Sequence, residues 1–223
     1  MERFTLPARG LEVPGWFGKL PGMGDFGQRR LPPRFRVIWD EWLQTGLQAL
    51  RLQREDWVAH YLQAPLWFFA LGEDIMSPSP WIGVLMPSVD SVGRYFPLTL
   101  AIELVRCDGA PTSAPPMARM HQWWQRSAKA ALMGLDSNMG AERFDDCLHS
   151  LFGAPDGPGI RGTPMSELPG AGLSNWYIDA GAEQCVIETV ANLPGTAGFA
   201  VLFGYDSSAL KIKTCNQDES NPG

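Results

Sequence analysis

The stretch that most constrains the fold is residues 81–100, WIGVLMPSVDSVGRYFPLTL, where two apolar runs enclose the polar crossing Asp90-Ser91-Val92-Gly93-Arg94. In the first run Ile82, Val84, Leu85 and Met86 are apolar at both parities of the strand period. Alternate side chains of a strand point to opposite faces, so this strand needs cover on both sides, which helices above and below a sheet provide. The window predicts a three-layer α/β sandwich, with a mixed or largely antiparallel central sheet covered by helices on both faces. Asp90 and Arg94 are its only charges. They must stay at the surface, find each other, or meet a partner.

The neighbouring segments fit this scheme. Gly15–Leu20 reads as a short strand closed by Pro21 and the glycines after it. Pro32-Pro33 suits a helix start, and Phe35, Ile38, Trp39, Trp42, Leu43, Gly46, Leu47 and Leu50 recur at helical spacing, with Arg36, Asp40, Glu41, Gln44, Gln48 and Arg51 on the opposite face. A shorter amphipathic piece runs over 55–63. Strands are expected at 67–71, 81–89 and 94–105, helices at 118–133 and 142–152, and a hairpin-like pair at 173–178 and 185–191. Residues 195–205 fit helix and strand equally. Segments 106–116 and 153–172 are rich in Pro and Gly and read as loops. The expected organisation is a 1–14 N-terminal extension, one α/β domain over 15–216 and a flexible tail over 217–223. Trp123 and Trp124 are adjacent on a helix, about 100° apart, so one of them is expected at the surface.

Composition narrows the function. With 18 basic and 24 acidic residues the net charge is −6, which argues against nonspecific binding of nucleic acid or an anionic membrane. The N-terminus lacks an apolar signal-peptide core and no apolar run is long enough to span a bilayer, so a cytoplasmic protein is expected. Cys107, Cys147, Cys185 and Cys215 form no C-x-x-C pair and read as free thiols. His60, His121 and His149 are far apart and supply no zinc spacing, so no metal is expected.

Residues 22–27, Gly-Met-Gly-Asp-Phe-Gly, match G-x-G-x-x-G after a predicted strand. A dinucleotide site needs those glycines to open directly into a helix, but here 28–33 intervenes, and Asp40 and Glu41 sit inside a helix rather than ending a second strand. A structural turn is expected, with no cofactor. Asp25, Asp90 and the pair Asp145-Asp146 are candidate acids with nothing to fix their separation. No G-x-S-x-G or P-loop lysine motif occurs.

What remains is a charged constellation, Lys19, Asp25, Asp90 and Arg94, on two glycine-marked loops that leave predicted strand ends. One reading is a salt-bridged latch holding the loops together; another is a docking surface, since rigid scaffolds present binding residues on loops. A third is a small-ligand site or hydrolase, with Arg94 holding an anion and Asp25 or Asp90 acting as base.

The run Gly15-Trp-Phe-Gly-Lys-Leu-Pro-Gly-Met-Gly-Asp-Phe26, then Leu31-Pro and Phe35-x-x-x-Trp39-x-x-Trp42-Leu43, resembles the opening of the TagF or ImpM accessory proteins of type VI secretion. Ala64-Pro65-Leu66-Trp67-x-Phe69, Trp81-x-Gly83-Val84-Leu85-Met86-Pro87-Ser88-Val89-Asp90 and Val92-Gly93-Arg94-Tyr95-Phe96-Pro97-Leu98-Thr99 resemble that family's central blocks, in order. The resemblance spans roughly 15–150 and weakens beyond. It implies an α/β three-layer domain and a non-enzymatic cytoplasmic repressor that acts after translation on assembly or firing of the apparatus, by binding an FHA-domain scaffold protein. It carries no catalytic residue. Lys19, Pro21, Gly24, Asp25, Asp90, Gly93 and Arg94 enter as motif positions and candidate partner contacts.

Overall fold

The computed structural model describes residues 4–7, 11–106, 116–154, 167–179, 184–203 and 212–214. In chain order the strands are β1 (Phe4–Thr5), β2 (Gly15–Gly18), β3 (Gly27–Arg29), β4 (Trp67–Leu71), β5 (Trp81–Met86), β6 (Leu98–Glu103), β7 (Val105–Arg106), β8 (Leu173–Asp179), β9 (Gln184–Ala191) and β10 (Ile212–Thr214). The helices are α1 (Pro33–Gln53), α2 (Trp57–Gln63), α3 (Pro116–Asp136), α4 (Ala141–Gly153) and α5 (Thr196–Leu202). Eight strands form one sheet in the order β10-β9-β8-β4-β5-β6-β2-β3, every pair antiparallel. β1 and β7 form a separate two-stranded ribbon.

The strand period divides the core into two layers. Ile82, Val84 and Met86 of β5 join Leu98 and Leu100 of β6 under α3 and α4, with Trp124, Ala131, Phe144 and Leu148. On the other face Trp81 and Leu85 meet Phe69, Trp176, and Phe35, Trp39 and Leu43 of α1, with Tyr61 of α2 and Phe199 of α5 completing that side. β5 is buried at all six positions, as its two-sided apolar pattern requires. The α1 periodicity maps onto the buried Phe35, Trp39, Leu43, Gly46, Leu47 and Leu50.

Indole N–H groups fasten the layers. Trp39 donates to Thr99 Oγ1 (2.8 Å) from one face and Trp124 to the Gly83 carbonyl (3.0 Å) from the other. Trp67 reaches the Leu202 carbonyl and Trp42 the Pro194 carbonyl, both at 2.7 Å, which ties α5 to the sheet and to α1. A buried indole left without an acceptor is costly, so each contact restricts how its helix can lie.

Three expectations need correction. Trp123 and Trp124 are both fully buried, because α3 has two covered sides. Trp124 faces β5 and Tyr177, while Trp123 meets Phe152 of α4 and donates to the Glu12 carbonyl at 3.0 Å. The strand expected over 94–105 is broken: Pro97 lacks an N–H for the ladder, pairing starts at Leu98, and the chain leaves β6 after Glu103 so that β7 pairs with β1. The strand expected over 81–89 stops at Met86, ahead of Pro87. The ambiguous segment resolves as α5. Of residues 1–14, Phe4–Thr5 pairs with β7, and Leu6 and Leu11 are buried in the core beneath α3. Cys147 is a half-buried free thiol; Cys107, Cys215, most of the 106–116 and 153–172 loops and the 217–223 tail lie outside the described residues.

Candidate functional site

The sheet order places the two polar loops together. β2 and β5 both pair antiparallel with β6, one on each side, so both run out of the sheet at the end where β6 begins. Phe17 is opposite Thr99 and Met86 opposite Leu98, which brings the segments after Gly18 and after Met86 side by side over Pro97. Gly18 has φ +138°, and a Cβ there would lie 2.2 Å from the Pro97 carbonyl oxygen, so only glycine fits this exit.

Asp90 joins the loops. Its side chain is fully buried, and Oδ2 accepts from Lys19 Nζ at 2.6 Å and from Arg94 Nε at 2.7 Å. Oδ1 accepts from the backbone N–H groups of Val92 (3.1 Å) and Arg94 (2.8 Å), which closes the turn in which Gly93 takes φ +82°. Burial pushes the Asp90 carboxyl up, but donors from Lys19, from Arg94 through backbone and side chain, and from Val92 outweigh it. They hold it well below the usual carboxylate range. With both oxygens engaged twice, Asp90 has no free lone pair positioned to take a substrate proton.

Further bonds lock the two loops to each other and to α2. Ser88 Oγ donates to the Lys19 carbonyl (2.7 Å), Ser91 N–H to the Met23 carbonyl (2.9 Å), and the Arg94 guanidinium to the Gly24 carbonyl. Tyr61 of α2 donates its hydroxyl to the Ser88 carbonyl and accepts from the Ser88 N–H, both at 2.9 Å. Burial pushes the Tyr61 phenol far above its ordinary value, offset in part by the Ser88 backbone bond and Arg51. Phe26 covers the assembly: it stacks on Phe17 at 5.8 Å, meets Phe96 edge-on at 4.8 Å, and lies 4.8 Å from Lys19 Nζ.

Lys19, Asp90 and Arg94 are thus brought together, with Gly24 contributing its carbonyl and Gly93 its turn. Asp25 is not part of the cluster. It is exposed, and among the described residues its Oδ1 accepts only from the adjacent Phe26 N–H, at 2.8 Å. Pro21 is half-buried and lines an apolar groove of about 340 Å³ beside the loops, with Leu62, Leu66, Leu132 and Leu135. Sequence reasoning missed Tyr61, Ser88 and Phe26 as parts of the site. Their only signal is proximity created by the fold. The last glycine of the 22–27 motif opens β3 rather than a helix. Among the described residues, no His, Cys, Asp and Glu side chains are grouped to hold a metal ion. No described helix is long and apolar enough to cross a membrane.

The family model for the TagF N-terminal domain, described as type VI secretion system-associated, matches residues 15–151, more than half of the chain. The chain belongs to the TagF N-terminal domain family. The matched range holds both loops and runs from β2 to Leu151 in α4. The crystal structure of PA0076 from Pseudomonas aeruginosa PAO1 is similar over 86% of this chain and 94% of that one, with a TM-score of 0.66 and 28% identity. The likeness of fold therefore extends beyond the TagF range. No curated protein matches the chain.

Proposed function

We propose that this chain is a non-enzymatic cytoplasmic regulator of type VI secretion, a repressor acting after translation on assembly or firing, and that it binds an FHA-domain scaffold protein through the two-loop face. Membership of a secretion-associated family supports the setting. The observation that carries the mode of action is the division of labour around Asp90. Lys19 and Asp90 are buried and paired, while Asp25, Phe26 (44% exposed), Val92 (67%) and the Arg94 side chain (54%) form an exposed rim. A rim held by a buried ion pair is ordered before it meets a partner, so little conformational entropy is lost on docking. The Pro21 groove, with Leu62 and Leu132 about half exposed, supplies apolar area beside that rim.

Co-purification tests the reading. The chain, expressed with the FHA-domain protein of the same system, should retain it, and Asp25→Ala together with Arg94→Ala should reduce recovery while the thermal melt stays cooperative. Undiminished recovery by that double variant removes the rim from the interface.

A further inference from the structure

Arg29, Arg30, Arg34 and Arg36 fall within eight residues of a chain whose net charge is −6. The fold concentrates them at one edge. β3 is the last strand of the sheet, so its outer edge has no neighbour among the described strands. Arg29 ends β3, Arg30 follows at φ +60°, and Arg34 and Arg36 occupy the first turn of α1. Gln28, Arg29, Arg30, Leu31 and Arg36 line a cleft of about 300 Å³.

Counter-charge is scarce there. Arg30 is neutralised by Asp145, with contacts of 2.6 and 2.9 Å, and is fixed by the Pro14 carbonyl. Among the described residues, Arg29 bonds only the Gln28 carbonyl (2.9 Å) and Arg36 only Gln28 Oε1, and neither forms an ion pair. The Arg36 Nε is buried with no acceptor. Asp40, one helical turn from Arg36, instead accepts from Gln44 at 2.7 Å. The α1 start adds to the imbalance, since it has no side-chain cap and no acidic residue in its first turn, where the helix dipole is positive. A single charge is enough to deter pairing at an exposed strand edge. Unneutralised arginines gathered around a cleft exceed that need.

We propose that this cleft binds an extended acidic peptide segment, whose Asp and Glu carboxylates pair with Arg29 and Arg36 along the free edge of β3. Guanidinium groups take carboxylates bidentately, and a free strand edge offers backbone groups to an extended chain. A long polyanion such as nucleic acid is disfavoured by the net charge of −6, whereas a short segment can stay on Arg29 and Arg36, clear of Asp145 on Arg30 and of Glu12 and Glu103 in the neighbouring cavity. The cleft flanks the Trp16–Arg29 end of the β2–β3 pair, and the Asp90 cluster lies past the Gly18 end, so this inference stands apart from the FHA-domain reading.

The test is fluorescence anisotropy of a fluorescein-labelled hexaglutamate peptide with the full chain at low ionic strength. Saturable binding is expected, weakened roughly tenfold by Arg29→Gln and further by Arg29→Gln with Arg36→Gln, the scale of about one lost charge-assisted contact per step. Arg143→Gln, the same charge change at an exposed position on α4, should leave affinity unchanged. Arg29 is exposed and Arg36 partly buried, so matching thermal melts check that the variants fold. The proposal is overturned by no saturable binding, by equal binding of a hexaglutamine peptide, by equal weakening in Arg143→Gln, or by full displacement with equimolar inorganic phosphate.

Discussion

At Asp90 one carboxylate accepts from a buried cation, an exposed cation and two backbone N–H groups, so its removal is felt differently from the removal of Lys19. Asp90→Asn leaves the Lys19 ammonium buried without a counter-charge, whereas Lys19→Met leaves Asp90 with three donors. A buried ion pair broken from one side suffers mainly through the charge left behind. Thermal melts should therefore rank wild type above Lys19→Met and Lys19→Met above Asp90→Asn. The pH dependence follows with a definite sign. Asp90 is held below its ordinary value, and so is Asp145, chiefly by Arg30. The unfolded chain then binds more protons than the native one, and the stabilisation, complete above about pH 4, declines as pH falls further. Urea midpoints between about pH 5 and pH 2 should fall less steeply in Asp90→Asn. Gly18 and Gly24 offer a contrast on one loop. Gly18→Ala forces a Cβ against the Pro97 carbonyl at positive φ and should cost more than about 1 kcal/mol. A Cβ at Gly24 would meet only Ser91 Oγ, at 3.8 Å, so Gly24→Ala should stay within about 0.5 kcal/mol in the same urea titration.

Among the elements, α3 decides how the layers close. Because Trp124 faces the sheet and Trp123 faces α4 and the Glu12 segment, neither behaves as a surface residue. Trp123→Ala and Trp124→Ala should each destabilise by about 3–5 kcal/mol in chemical denaturation. A cost under about 1 kcal/mol for Trp123→Ala would put it at the surface. What the sequence made legible follows from pattern strength. α1 announced itself through an apolar stripe that runs its full length, and β5 through apolar residues at both parities. β3 did not, since Gly27-Gln28-Arg29 has no alternation and forms a strand only because β2 offers an edge. β1 and β7 are two residues each and arise from pairing across about a hundred positions. At the site, Lys19, Asp90 and Arg94 stood out as charges in apolar surroundings, which demand pairing. Asp25 was grouped with them by its glycine-marked loop, yet that loop turns its carboxylate onto its own backbone. Tyr61 was invisible because its link to Ser88 depends on where α2 lands.

For the whole molecule, an antiparallel sheet covered on both faces leaves strand ends and sheet edges as the places where polar groups gather. The β2 and β5 exits make one such place and the outer edge of β3 another. The first is the proposed docking face, with a buried half that orders its exposed half. Calorimetric titration of the purified FHA-domain protein into wild type, Val92→Asp and Arg94→Ala tests it most directly. Val92 is two-thirds exposed, so Val92→Asp should melt close to wild type, while both variants, still folding cooperatively, should lose at least tenfold in affinity, about 1.4 kcal/mol. Wild-type affinity in both variants, with folding intact, would contradict it.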